Sequence, residues 1–284
     1  LKGFIMTKRI RTIKDMDLEN ADLHVHSNRS DGVLSIGDVV EEIKRQGTTV
    51  MAITDHDGVY GVKEAKKIAE NIGGIKVIPG IEFSASGPGG EELHILGYFI
   101  DTDNPGLTQL IDDVRGARRE RNVKLYEALR EMGLHISEDD FSGQPNEGYV
   151  GKPLIARKLV EKGLLKNFSE AFKAGKYLDS KEIRGIKKRK ASAEEIIRVI
   201  KEAGGVSVLA HPMKIKRIGL RGSEAFWSYL ENLTLQLKGY GLGGLECFYP
   251  SHTQEEKEKI LDMAESLDLF VTRGSDFHSL TEKG

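Results

Sequence analysis

The sequence is poor in the features that most often settle a protein's class. It has one cysteine, Cys247, in 284 residues. That excludes an internal disulfide framework and fits a reducing compartment. Aromatic residues make up 7% with a single tryptophan, which offers no stacking platform for long single strands of nucleic acid. No apolar run approaches the ~20 residues that a membrane span needs. The stretch from Leu1 to Arg11 lacks the apolar segment and small-residue cleavage site of a signal peptide. Charge of one sign is missing too: 42 basic against 44 acidic residues leave a formal charge of −2. No whole-molecule field therefore draws the chain to nucleic acid or an anionic membrane. A cytoplasmic globular protein is expected, with no membrane association and no obligate protein partner. Met6 is a candidate natural start, which would leave residues 1–5 as upstream sequence.

What is present is enough to build a large core, since 39% of residues are hydrophobic. Short β-rich runs alternate with amphipathic helical stretches. The runs Ala21–His26, Val50–His56, Lys76–Phe83, His94–Phe99, Val206–His211, Gly244–Phe248 and Leu269–Ser275 have the brevity and the Val, Ile, Leu and Phe content of strands covered on both faces. Ser35 with Asp38, Ser192 with Glu195 and Thr253 with Glu256 mark helix starts, the last two as capping boxes. Repeated β-α units predict a parallel α/β sheet, open or closed into a barrel. Residues 101–191 break the rhythm. They show only helical patterns, including Leu107–Met132, Pro153–Lys162 and Ser169–Ala174. They also carry 19 basic and 15 acidic residues, leaving 23 and 29 for the remainder. A helical subdomain (101–191) inserted into an α/β domain (1–100 and 192–284) is expected. Gly143–Gly151 and the run Lys187-Lys188-Arg189-Lys190 read as exposed loops, the latter with attraction to RNA as its alternative.

Five strand ends carry the chemistry. Asp22-Leu-His24-Val-His26 and then Asp31 form the first group, Thr54-Asp55-His56-Asp57 the second, and Glu82 followed by His94 the third. Leu209-Ala-His211-Pro and Ser275-Asp276-Phe-His278 complete the set. Side chains at i and i+2 of a strand share a face, so His24 and His26 project together. One histidine near a strand end is ordinarily a structural residue; five such ends gathered where α/β folds place function are not. Buried, closely spaced carboxylates repel one another unless cations neutralise them. Imidazole and carboxylate without thiolate suit Zn, Mn or Fe(II). One catalytic zinc needs about three protein ligands, so nine candidates are enough for two or three ions. Such sites activate water against phosphate esters, and related sites hydrolyse amides.

At these residues the sequence resembles the PHP family, the polymerase-and-histidinol-phosphatase phosphoesterases, from about Ala21 to the C-terminus. The resemblance implies a distorted barrel of about seven βα units. It also implies three ion sites: His24, His26, Glu82 and Asp276; Glu82, His94 and His211; Asp31, His56 and His278. Gly151-Lys152-Pro-Leu-Ile-Ala156, Ala203-Gly-Gly-Val206 and Tyr249-Pro-Ser251-His252-Thr253 resemble the stand-alone bacterial branch with a helical insertion. That branch includes nucleoside 3′,5′-bisphosphate phosphatases and exonucleases that shorten small RNAs from the 5′ end. Relatives often have His where Leu154 stands, which puts substrate specificity in question. A small phosphorylated substrate, a nucleotide or a short RNA, is expected. Histidinol phosphate is the alternative, and a non-catalytic metal-stabilised module is the third reading. An amidohydrolase of this kind would centre a lysine among its ligands, and these motifs contain none.

Substrate contacts are expected from Lys152, Ser251, His252 and the insertion's arginines. Arg115, Arg118, Arg119 and Arg121 either grip a second phosphate, which the guanidinium fork suits, or form a charged helix face paired with Glu120 and Glu127. His252 either protonates a leaving oxygen or merely starts a helix. Asp55 is expected to serve catalysis by orienting a histidine. His135 is expected to be structural or exposed.

Overall fold

The structure, a computed structural model, describes residues 16–146 and 148–279. The candidate start at Met6 and residues 1–5 lie outside the described residues. Seven strands stand side by side in sequence order: β1 (Ala21–Val25), β2 (Val50–Ile53), β3 (Lys76–Ser86), β4 (Glu92–Tyr98), β5 (Val206–Leu209), β6 (Gly244–Phe248) and β7 (Phe270–Arg273). The chain leaving β7 returns to β1, where the His26 amide donates to the Phe277 carbonyl at 2.9 Å. The sheet thereby nearly closes into the expected barrel.

One expectation fails. The sheet is not parallel throughout, because β4 runs antiparallel to both β3 and β5. The reason is the length of the link. Only residues 87–91 join β3 to β4, whereas a parallel return needs a crossover of a dozen or more residues. The start of β4 therefore lies at the same end of the barrel as the carboxyl ends of its neighbours. Leu23, Ala52, Ile78, Leu96 and Val208 fill the barrel interior, and the Tyr98 hydroxyl crosses it to donate to the Leu23 carbonyl at 2.9 Å.

Helices cover the outside, and their sequences explain their bounds. In α1 (Ile36–Arg45), Ser35 accepts from the Asp38 amide, and Ile36, Val39, Val40 and Ile43 face the outer side of β1 and β2 together with α2 (Val62–Ile72). The long α3 (Pro105–Glu131) begins at an Asn104 cap with proline at its first turn. Residues 101–191 also hold α4 (Lys152–Glu161) and the short α5 (Lys181–Gly185). After it, α6 (Ala193–Glu202), α7 (Glu224–Tyr240) and α8 (Gln254–Ser266) pack on β4 to β7. Thr253 and Glu256 form the reciprocal capping box, whereas Ser192 makes only its own half of one. Residues 168–172 form a 3₁₀ turn where an α-helix was expected.

No strand occurs among the described residues of 101–191. Leu107, Leu110, Ile111 and Val114, in the first half of α3, pack into the barrel's outer core. Leu125 and Leu129 in its second half join Ile136, Ile155, Leu159 and Ile183 in a separate core. No described helix is long and apolar enough to cross a membrane.

Candidate metal centre

The nine strand-end residues converge around the Glu82 carboxylate. Glu82 is fixed by backbone bonds to the chain leaving β2: the Asp57 amide donates to the Glu82 carbonyl at 2.8 Å, and the Glu82 amide to the Asp55 carbonyl at 3.3 Å. One carboxylate oxygen, Oε1, lies 3.3 Å from His24 Nε2, 2.9 Å from His94 Nδ1 and 3.3 Å from His211 Nε2. The other lies 3.2 Å from His26 Nε2 and 2.9 Å from His56 Nδ1. Asp276 Oδ1 stands 3.5 Å from His24 Nε2 and 3.3 Å from His26 Nε2. Asp31 is 3.2 Å from His278 Nε2 and 3.7 Å from His56 Nε2. His94 joins from the reversed strand, opposite Ser84.

The ligand atoms fall into four overlapping sets, each mutually within 4.8 Å. They are His26, Asp31, His56 and His278; His24, His26 and Asp276; His24, Glu82 and His211; and His56, Glu82 and His94. Whether cations fit can be judged from unpartnered atoms. His24 Nε2, His26 Nε2, His56 Nδ1 and Glu82 Oε2 are buried without a hydrogen-bond partner. An unsatisfied buried polar atom costs about 1–3 kcal/mol, so four aimed at one centre indicate a missing positive partner. The donor set fits hard or borderline divalent ions.

Electrostatics point the same way. Burial alone would raise the Glu82 and Asp31 carboxyls, but the imidazoles around them, His56 foremost, hold both well below the usual carboxylate range. Burial would lower His26, yet Asp276 and Glu82 push it up to about 10. The carboxylates therefore call for positive charge beside them, which divalent cations would supply. Three non-glycine residues beside the cluster have positive φ: Asp57 at 49°, His211 at 28° and Asp276 at 54°. Such strain concentrates where surrounding structure forces a side chain inward. Gly274 is needed for a different reason. A Cβ there would sit 2.2 Å from His24 Cβ and 2.4 Å from Glu246 Oε1.

A group of basic side chains adjoins the cluster. Arg115, Arg118 and Arg121 occupy one buried face of α3, while Arg119 is exposed on another. Arg118 is hydrogen-bonded to Asp57 and lies 4.1 Å above the Tyr149 ring, which in turn stacks on His56 at 5.8 Å. Lys188 Nζ also reaches Asp57, at 3.3 Å, so this lysine does not belong to a solvated loop. Asp57 follows the strand end that delivers His56, and this pulls the lysine inward. The 143–151 segment is exposed only in part: Gly143, Pro145 and Gly148 are exposed, whereas Asn146, Tyr149 and Val150 are buried. Burial beside Arg118 lowers Arg121 to about 10, and burial lowers Lys188 to about 8. The Nε atoms of Arg118 and Arg121 have no partner. Lys152, half-buried near Arg121, donates to the Leu178 carbonyl at 3.3 Å. Leu154 packs against the second core, which holds Ile155 and Leu159.

Other candidates lie differently from expectation. Asp55 does not touch a histidine. It accepts from the Ser27 amide and hydroxyl and from the Ser30 hydroxyl, and Ser30 Oγ lies 3.5 Å from His26 Nδ1. His252 is buried with Nδ1 3.0 Å from the Cys247 carbonyl, and the Tyr249 ring stands between it and His211. Ser251 is exposed, with its carbonyl accepting from Arg221. His135 is exposed. Sequence reasoning missed Glu246 on β6, whose Oε1 lies 2.9 Å from His24 Nδ1 and whose Oε2 accepts from the His211 amide at 2.7 Å. It also missed Tyr249 and Lys214, which meet at Asp276 Oδ2 at 2.8 and 3.3 Å. A carboxylate inside an otherwise apolar strand was the signal for Glu246.

Comparison with known proteins agrees with this geometry. The model of the PHP domain matches residues 22–206. A 5′-3′ exoribonuclease of Haemophilus influenzae is 32% identical over 90% of this chain and 89% of its own length. A 3′,5′-nucleoside bisphosphate phosphatase of Chromobacterium violaceum is 30% identical over 94% of this chain and 90% of its own. A structure from Bifidobacterium adolescentis, described as a metal-dependent phosphoesterase, superposes with a TM-score of 0.80. It is 30% identical and covers 93% of this chain and 90% of its own.

Proposed function

The chain belongs to the PHP domain family of metal-dependent phosphoester hydrolases, and we propose from that premise that it acts on a small nucleotide or a short RNA. The observation carrying this reading is the Glu82-centred cluster lying beside the buried cations Arg118, Arg121 and Lys188. One half suits the reacting phosphate and the other a second phosphate on the same molecule. We assign His24, His26, Glu82 and Asp276 to one ion, Glu82, His94 and His211 to a second, and Asp31, His56 and His278 to a third. We treat residues 101–191 as an inserted helical unit on the barrel 1–100 and 192–284, supported by its separate core.

Divalent Mn, Fe or Zn ions bound there would supply an acidified water and neutralise phosphoryl oxygens. The chain's own residues do the positioning. Glu246 holds the Nδ1–H tautomer of His24, so Nε2 faces the centre. Asp55 ties down the 27–30 turn beneath His26. Arg118 and Lys188 keep their charge close to the cluster through Asp57, and the free Nε–H groups of Arg118 and Arg121 remain to meet an anion.

The test is release of phosphate or nucleotide from nucleoside 3′,5′-bisphosphates and short oligoribonucleotides in the presence of Mn²⁺. Turnover abolished by a chelator is expected. No release from any of them would overturn the reading, and histidinol phosphate as the sole substrate would replace it.

A further inference from the structure

The loop that follows His211 is fixed at both ends across the carboxyl ends of β5 and β6. At its near end Lys214 Nζ lies 2.6 Å from the Tyr249 hydroxyl and 3.3 Å from Asp276 Oδ2, against the cluster. At its far end Arg221 is bound twice by Glu256, at 2.8 and 2.7 Å, and reaches the Ser251 carbonyl. Met213, Ile215 and Ile218 anchor the loop in the core. Gly219, at φ 120°, lies so close to the α7 backbone that a Cβ would come within 3.0 Å of the Phe226 nitrogen.

That anchoring leaves a specific set of side chains outside. Lys216 and Arg217 are exposed, and neither forms an ion pair among the described residues. Arg217 is held at φ 70°, a conformation that side-chain-bearing residues seldom adopt. Leu220 is 82% exposed, more than any other large hydrophobic residue described. Three residue steps take the chain from Lys214 to Arg217, at most about 11 Å.

We propose that residues 214–221 form the track for the chain of a single-stranded RNA beyond its terminal nucleotide, with Lys216 and Arg217 meeting backbone phosphates and Leu220 resting against an unstacked base. The inference builds on the phosphoester hydrolase reading above and names the substrate class as oligomeric. The two cationic regions divide the work. Arg118 and Lys188 are tied to Asp57 after β2, where a terminal phosphate is held next to the cluster. The loop after β5 carries uncompensated charge outward from the same cluster, as a polyanion leaving the site requires. An anionic bilayer would also attract exposed lysine, arginine and leucine. Continuity with the cluster through Lys214 favours the nucleic acid.

The test uses the full, metal-loaded chain and the double variant Lys216→Gln/Arg217→Gly, the glycine being suited to the positive φ. Binding of a 3′-labelled RNA pentamer with cleavage-resistant phosphorothioate linkages is followed by anisotropy across a salt series. The variant is expected to bind about tenfold more weakly, with a log K against log salt slope shallower by about 1.4, at about 0.7 per lost phosphate contact. Its KM for a nucleoside 3′,5′-bisphosphate is expected to be unchanged. Equal affinity and slope in the two proteins would overturn the proposal. So would wild-type binding to phosphatidylglycerol vesicles but not to the pentamer. If wild type releases nothing from nucleoside 3′,5′-bisphosphates or unmodified oligoribonucleotides, the hydrolase reading fails, and binding of the resistant pentamer still decides this one.

Discussion

Glu82 touches five imidazoles, so it is the residue through which the centre is most exposed to a single change. Glu82→Gln keeps its shape but removes the charge that offsets bound cations. A loss of about 4 kcal/mol of transition-state stabilisation is expected, roughly a thousandfold in turnover, together with fewer metal ions per chain by elemental analysis. Glu246 acts one step further out. Glu246→Gln leaves a side chain that can still accept from His211 but holds the His24 tautomer less firmly, so metal affinity should fall about 10–100-fold in a titration while the far-ultraviolet spectrum is unchanged. The contrast between these two residues shows what a sequence discloses. The nine strand-end residues were legible because histidines and acids recurred at strand ends with i, i+2 spacing. Glu246 was not, since Gly-Leu-Glu-Cys-Phe places one acid inside an apolar run, and only the fold shows that it faces His24.

Among the elements, α3 links the two halves of the molecule. Its first half packs on the barrel, its second half in the separate core around Ile155 and Leu159, and Arg115, Arg118 and Arg121 share its buried face. The run of arginines at 115, 118, 119 and 121 was visible in the sequence, though not which of them share a face. Its burial was not, because an identical charge pattern serves an exposed helix equally well. Arg118→Ala should raise KM about tenfold for a substrate bearing two phosphates and much less for one bearing a single phosphate, as steady-state kinetics would show. The same group of basic side chains sets a pH dependence. Lys188 ordinarily keeps its proton to above pH 10, but burial lowers it to about 8. Its ammonium is present below that pH and lost above it, so KM for an anionic substrate should rise between pH 7 and 9. Lys188→Arg should flatten that rise. Lys188 was hidden in the sequence by Lys187, Arg189 and Lys190, which look the same as letters and differ only in which one the turn directs at Asp57. Ile155→Ala, in the separate core that α3 shares with α4, should cost about 2–5 kcal/mol locally. Limited proteolysis is then expected to cut within 134–186 before the barrel is touched.

For the whole molecule, the cluster couples ion binding to folding. Without cations, buried imidazoles and carboxylates must neutralise one another by taking up protons; with them, those protons are released. An ion present at a hundred times its dissociation constant contributes about 2.7 kcal/mol, which for a chain of this size is a shift of roughly 4–5 °C. A thermal melt with and without a chelator should show that drop. The fold itself was readable to the level of seven strands and their helices, because each strand is a short apolar run bounded by caps and glycines. The direction of β4 was not. It depends on the five-residue link after β3 rather than on any residue within the strand. Gly274 carries a lesson for reading other chains of this kind. All nine donors can be spelled out in a sequence whose centre cannot form, if a methyl group at the position of Gly274 displaces His24 and its carboxylate support. An inventory of ligands is therefore an incomplete criterion for activity, and the absence of a side chain at that one place belongs beside it.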